Sequence, residues 1–156
     1  MSVVYLLLLV LLQSPPKADA VPVRVWLPLA NTLAPDFRDS TNDLSDLLRD
    51  KRKTIEIVDD KDRADVEVEV TDRSVTVPRV AIGVVKPGRP GEPAAGLIQV
   101  AHLTATVTAG ALSVTIKNKN SPTAASDGWK SAADDIARQI DTWIGKHKAE
   151  LIAARR

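Results

Sequence analysis

The stretch from Trp129 to Leu151 constrains the fold of this chain most, because its apolar residues recur with the spacing of an α-helix. At about 100° per residue, one face of the helix is apolar and the opposite face is charged. The apolar face comprises Trp129, Ala132, Ala133, Ile136, Ile140, Trp143, Ile144, His147 and Leu151, and the charged face comprises Lys130, Asp134, Arg138, Asp141 and Lys146. Such a helix must pack on another surface, and the strand-like segments upstream are the natural one.

The segments before this helix show strand patterns and one helix pattern. Strands are predicted over residues 23–29, 54–58 and 66–70, a weaker one within 74–85, and a hairpin over 97–117. A helix between the first two strands is expected to begin at Ser40, with Asp43 as the reciprocal capping residue. Its buried stripe is Leu44, Leu47 and Leu48.

These elements, in the order β-α-β-β-(β)-β-β-α, predict an α/β (α+β) fold. We expect a single layer of mixed, mostly antiparallel sheet with two helices packed on one face. The first β-α-β piece can form a crossover, and the remaining strands are expected to pair antiparallel. Residues 21–156 are predicted to form a single α/β domain, and residues 86–96, with three prolines and three glycines, a loop inside it.

The N-terminal residues 1–20 have the pattern of a secretory signal peptide. Val3 to Leu12 is an apolar run too short to span a bilayer, and Ala18-Asp19-Ala20 resembles a cleavage site. The mature chain is therefore expected to begin at Val21, without a stable transmembrane segment, in the periplasm or the medium. No Lys or Arg precedes the apolar run, which leaves an uncleaved N-terminal segment as the alternative.

Composition excludes several function classes. The chain has no cysteine, which excludes disulfides, thiol catalysis and thiolate metal sites. Its 21 basic and 20 acidic residues give a net charge of +1, which argues against a nucleic-acid-binding protein. The Asp-rich segment that begins at Asp60 fails as a Ca²⁺ loop, because Ala64 and Thr71 occupy ligand positions. No cofactor fingerprint and no metal site are predicted.

Two groups are candidates for catalytic residues. Glu67 and Glu69 lie on one strand face, about 7 Å apart, but that face lacks aromatic residues for sugar stacking. His102 is a candidate general base, although no Ser–His–Asp or Cys–His arrangement can be inferred from the spacing. No catalytic residue is therefore assigned, and a hydrolase with a site near His102 stays an alternative.

Basic residues supply the candidate binding sites. Arg49, Lys51, Arg52 and Lys53 follow the first helix, where cations favour the helix dipole and could also contact phosphates or an anionic membrane surface. Lys86 and Arg89 give positive charge to the 86–96 loop, which is a candidate contact loop.

Two stretches resemble small exported bacterial proteins of uncharacterised function. One is residues 44–70, with its Leu-rich helix and the sequence Ala-Asp-Val-Glu-Val-Glu-Val, and the other is residues 129–144. The order of elements also resembles the small α/β envelope domains of the TolB N-terminal and CsgG-like groups. That resemblance implies an interaction module and not an enzyme, and it carries no functional residue.

The sequence therefore favours an exported, non-enzymatic interaction module of the bacterial envelope. The expected partner is another envelope protein, and the oligomeric state is open. The alternatives are the hydrolase near His102 and a weak binder of anionic polymer or lipid that acts through residues 49–53.

Overall fold

The computed structural model describes residues 21–29, 32–77, 99–119 and 126–155. The predicted leader and the predicted 86–96 loop lie outside the described residues. The elements are β1 (Val23–Trp26), α1 (Pro35–Arg49), β2 (Ile55–Val58), β3 (Val66–Thr76), β4 (Val100–Ala109), β5 (Leu112–Lys117) and α2 (Ser126–Ala153). A short 3₁₀ turn, Lys61–Arg63, lies between β2 and β3.

The strands form one five-stranded sheet in the order β2-β1-β3-β4-β5. β1 pairs in parallel with β2 and with β3, whereas β3–β4 and β4–β5 are antiparallel. Both helices pack on the same face, where their apolar residues join those of the strands in one core. The predicted α/β (α+β) fold with a mixed sheet and two helices is confirmed.

The position of β3 differs from the prediction that all strands after the crossover pair antiparallel. β3 lies beside β1 and runs parallel to it, with Val25 opposite Val66 and Trp26 opposite Glu67. Parallel strands usually need a long crossover. Here seven residues suffice between Val58 and Val66, because β3 begins level with the end of β1.

β3 is longer than its sequence pattern indicates. It continues past Val70 through an irregularity between Val70 and Asp72 and ends at Thr76, so residues 74–76 belong to it and not to a separate strand. A β-bulge shifts the alternation of inward and outward residues by one position. The period-2 pattern is therefore broken at the bulge, which is why the sequence predicts a strand that ends at Val70. Residues 78–85 lie outside the described residues.

The apolar face of α2 forms the centre of the core, as predicted, but its two tryptophans lie at the margins. Ile136, Ile140 and Ile144 are fully buried together with three alanines, Ala132, Ala133 and Ala137. Trp129 and Trp143 are only partly buried. Alanines let the helix approach the sheet closely, so the large indoles fit only at the edges of the contact. Within the described residues, neither helix is long and apolar enough to cross a membrane.

α1 begins five residues before the predicted cap. Its first residue is Pro35, whose fixed φ favours the first helical position, and the cap residue Ala34 makes no side-chain hydrogen bond. Ser40 is inside the helix and fully buried, one turn before Leu44. The capping pair of Ser40 and Asp43 was thus wrong. Burial raises the pKa of Asp43, and the charge of Lys130 on α2 partly opposes this rise in pKa.

A buried carboxylate joins the two ends of the domain. The Asp65 side chain is 3% exposed and accepts hydrogen bonds from Arg24 Nη2 at 2.8 Å and from Arg155 Nη2 at 2.6 Å. Asp65 also makes two hydrogen bonds with the backbone of Arg24 in β1. The Asp65 N–H donates to Arg24 O at 2.8 Å, and the Arg24 N–H donates to the carboxylate oxygen Asp65 Oδ2 at 2.7 Å. These bonds hold the start of β3 against β1 and the end of α2 against both strands.

The two arginines determine the charge state of Asp65. Burial by itself would raise the pKa of Asp65, but the hydrogen bonds from Arg155 and Arg24 outweigh burial and hold that pKa below its usual value. The Asp65 hydrogen bond in turn raises the pKa of Arg24. The carboxylate is therefore ionised over the whole neutral range.

We expect Asp65→Asn to lower the free energy of unfolding at pH 7 by about 3 kcal/mol, the low end for breaking a buried ion pair, because both guanidinium groups can turn toward water. Chemical denaturation measures this change. Asp59→Asn is the matched control, because Asp59 is exposed in the neighbouring turn. That variant should stay within about 0.5 kcal/mol of the wild type.

The stabilisation that Asp65 provides should decrease at low pH. Because the pKa of Asp65 is lowered by folding, its stabilisation is complete above the ordinary aspartate pKa of about 3.9. The stabilisation is lost as the pH falls through the lower folded pKa. The difference between wild type and Asp65→Asn should therefore shrink at acid pH. A difference that stays constant down to the acid limit of folding would contradict this account.

Candidate interaction surfaces

The predicted basic residues 49–53 lie at the end of α1 and in the turn that leads to β2. Arg49 ends the helix and makes an exposed ion pair with Asp46 at 3.6 Å. The Lys51 carbonyl accepts hydrogen bonds from the N–H groups of Thr54 and Ile55, so this backbone forms the turn. Arg52 and Lys53 are exposed. A binding role for the four residues stays a prediction, and Lys86 and Arg89 lie outside the described residues.

His102 lies in β4 on the sheet face that the helices leave uncovered. Its Nε2 is 2.7 Å from the Thr76 hydroxyl, and Ser74 is its partner across the strands. The Ser74 hydroxyl contacts Asp72 at 3.3 Å, not His102. Among the described residues, no carboxylate makes an ion pair with His102. The hydrolase alternative therefore stays untested.

The acidic turn between β2 and β3 has a local structural role. The Asp60 side chain accepts a hydrogen bond from Asp62 N–H at 3.0 Å and caps the 3₁₀ turn. Across the part of the chain that the structure describes, no group of three or more His, Asp or Glu residues is arranged to hold a metal ion. Asp65 is committed to its two arginines.

A groove along the edge strand β5 is a surface that the sequence did not predict. It lies between β5 and α2 and has a volume of about 610 Å³. Its lining residues are Val114, Thr115, Ile116, Lys117, Asn118, Lys119, Gln139, Thr142, Trp143 and Lys146. Three of these residues are lysines and none is acidic, so the groove is basic with an apolar floor.

The backbone of β5 is open toward this groove. Asn118 N–H donates to Leu103 O at 3.1 Å, which sets the alternation of hydrogen bonds between β5 and β4. By this alternation, the N–H and C=O groups of Ser113 and Thr115 point away from β4. Gln139 Nε2 already donates to the outward carbonyl of Lys117 at 2.9 Å. The rest of the β5 edge has no strand beside it within the described residues.

A second unpredicted cluster lies on the uncovered face of the sheet. The β1–β3 pairing puts Trp26 directly beside Glu67. The expectation that the face of Glu67 and Glu69 lacks aromatic residues was therefore wrong. Alternation along each strand did indicate that Trp26 and the two glutamates point outward, but nothing in the sequence indicated that their strands are neighbours.

No protein-family model and no curated protein sequence matches the chain. Among solved structures, the chain is similar to a minor lipoprotein from Acinetobacter baumannii, with 14% sequence identity and a TM-score of 0.43. The match covers 80% of this chain and 94% of the other. A likeness this distant assigns neither a family nor a function, and the resemblance to TolB and CsgG-like domains stays a prediction.

Proposed function

We propose that this chain is an exported, non-enzymatic interaction module of the bacterial envelope that binds an extended, acidic segment of a partner protein. The observation that carries the proposal is the basic groove beside the open edge of β5. A partner strand added there would extend the sheet to six strands. Its inward side chains would lie under α2, against Trp143.

The backbone of the edge supports strand addition. Ser113 and Thr115 offer outward donors and acceptors that an extended peptide can pair with, and such main-chain bonds supply affinity in β-augmentation. Val114 and Trp143 are half-buried and pack against the core. They form a pre-built apolar floor for alternate side chains of the added strand.

The charges favour an acidic segment. Lys117, Lys119 and Lys146 are exposed at the groove and make no ion pair among the described residues. Carboxylates on the added strand would neutralise them, whereas a basic segment would be repelled. Complementary charge of this kind selects partners and speeds association.

The export part of the proposal rests on the sequence of residues 1–20, where an apolar run is followed by a small-residue motif of the kind that precedes leader cleavage.

The intact mass of the protein in fractionated cells tests export. We expect a chain that begins at Val21, outside the cytoplasm, because the apolar run and Ala18-Asp19-Ala20 fit a leader. A full-length chain in the cytosol would contradict the envelope part of the proposal.

A peptide of alternating valine and glutamate tests the groove. We expect it to bind and to protect the amide protons of Ser113 and Thr115 from exchange, as followed by NMR. Thr115→Pro should prevent binding without unfolding the domain, because the lost N–H does not belong to the β4–β5 ladder. Reversing Lys117, Lys119 and Lys146 to glutamate should weaken binding at least about tenfold, or ~1.4 kcal/mol.

The controls locate the binding site. A valine–lysine peptide of equal length should not bind. Arg52→Glu combined with Lys53→Glu alters the other basic surface and should leave the affinity unchanged. Loss of binding in that variant, with the groove variants unaffected, would transfer the site to residues 49–53 and refute the groove.

His102→Ala separates this proposal from the hydrolase alternative. We expect the variant to keep the peptide affinity and the melting temperature of the wild type within a few degrees. His102 is not one of the residues that line the groove, and its side chain lies on the sheet face that the helices leave uncovered. Hydrolysis of a p-nitrophenyl ester by the wild type that disappears in His102→Ala would contradict the non-enzymatic function.

A further inference from the structure

The uncovered face of the sheet carries a small concavity distinct from the β5 groove. It has a volume of about 260 Å³ and is lined by Trp26, Pro28, Lys61, Glu67, Glu69, Thr106 and Thr108. We call it the Trp26 basin. The helices lie on the other face, so none of these residues belongs to the core or to the groove.

Three neighbouring strands build the basin. Trp26 on β1 is opposite Glu67 on β3, and Glu67 is opposite Thr108 on β4. One step along, Glu69 is opposite Thr106. An indole, two carboxylates and two hydroxyls are thus fixed on adjacent positions of a rigid sheet. This pre-organisation is a property of binding sites built on strands.

The basin already holds an ammonium group, that of Lys61. The Lys61 Nζ is 5.2 Å from the centre of the Trp26 ring and 2.8 Å from Glu67 Oε2. An aromatic face combined with a carboxylate is the arrangement by which proteins bind organic cations. Lys61 comes from the 3₁₀ turn, and its side chain is 55% exposed. An ion pair so exposed contributes little to stability and is easily replaced.

We propose that the Trp26 basin is a binding site for an organic ammonium group, and that Lys61 is its displaceable internal occupant. An incoming cation takes over the ring of Trp26 and the carboxylate of Glu67. It also gains Glu69, which makes no ion pair within the described residues. With Lys61 in place the two glutamates still outnumber the cation, so the basin keeps a net negative charge.

Other ligand classes fit the basin less well. An anion would face two carboxylates. A neutral sugar could stack on Trp26, but it would separate Lys61 from Glu67 without replacing the positive charge. The described residues include no third carboxylate or histidine that would complete a metal site here.

The test uses butylammonium chloride as the probe and the indole N–H signal of Trp26 as the readout, with sodium chloride at equal ionic strength as the blank. The wild type should bind weakly and saturably. Lys61→Ala should tighten binding about fivefold to tenfold, the factor expected if Lys61 occupies the site roughly 80–90% of the time. Lys53→Ala, which removes an exposed lysine elsewhere, should not change the affinity.

Variants of the basin complete the test. The side chain of Glu67 is partly exposed and that of Glu69 is exposed, so Glu67→Gln and Glu69→Gln should fold normally. Each of the two variants should weaken butylammonium binding. Trp26→Leu should abolish it; if that variant does not fold, the two glutamine variants still decide the question. Unchanged affinity in Lys61→Ala, a response matched by sodium chloride, or a Trp26 signal that responds to N-acetylglucosamine but not to butylammonium would each overturn the proposal.

Discussion

The buried ion pair of Asp65 with Arg24 and Arg155 is the interaction on which the architecture depends. Its backbone and side chain both bind β1, so β3 starts beside β1 and not beside β2. Its carboxylate oxygens also accept hydrogen bonds from Arg155, two residues past the end of α2, and these bonds hold the end of the final helix at the start of β3. Three segments far apart in sequence thus meet at one carboxylate.

The placement of the helices follows from this junction and determines which surfaces remain open. α1 and α2 pack on one face around the leucines of α1 and the isoleucines of α2. The other face keeps the polar residues of β3, β4 and β5, and among the described strands β5 lies at the edge of the sheet. Both proposed binding surfaces are consequences of one-sided coverage, since one lies on the uncovered face and the other on the uncovered edge.

The two surfaces carry opposite charges, although the net charge of the chain is close to zero. The β5 groove carries Lys117, Lys119 and Lys146 without an acidic lining residue, whereas the Trp26 basin carries two glutamates and one lysine. A total of 21 basic and 20 acidic residues excludes a uniformly basic protein, but it does not describe local fields. Partners of opposite charge can therefore be selected at separate places on one small domain.

Local sequence patterns are sufficient to predict the elements whose periodicity is long and regular. The apolar face of α2, the β4–β5 hairpin with its turn at Gly110, and the α+β class follow from local spacing of side chains, which needs no knowledge of neighbours. Local patterns do not predict that β1 lies between β2 and β3, that Asp65 is buried with two arginines, or that Trp26 lies beside Glu67. Those are contacts between segments up to 90 residues apart, and strand order is set by the total burial of the folded chain, which no local pattern encodes.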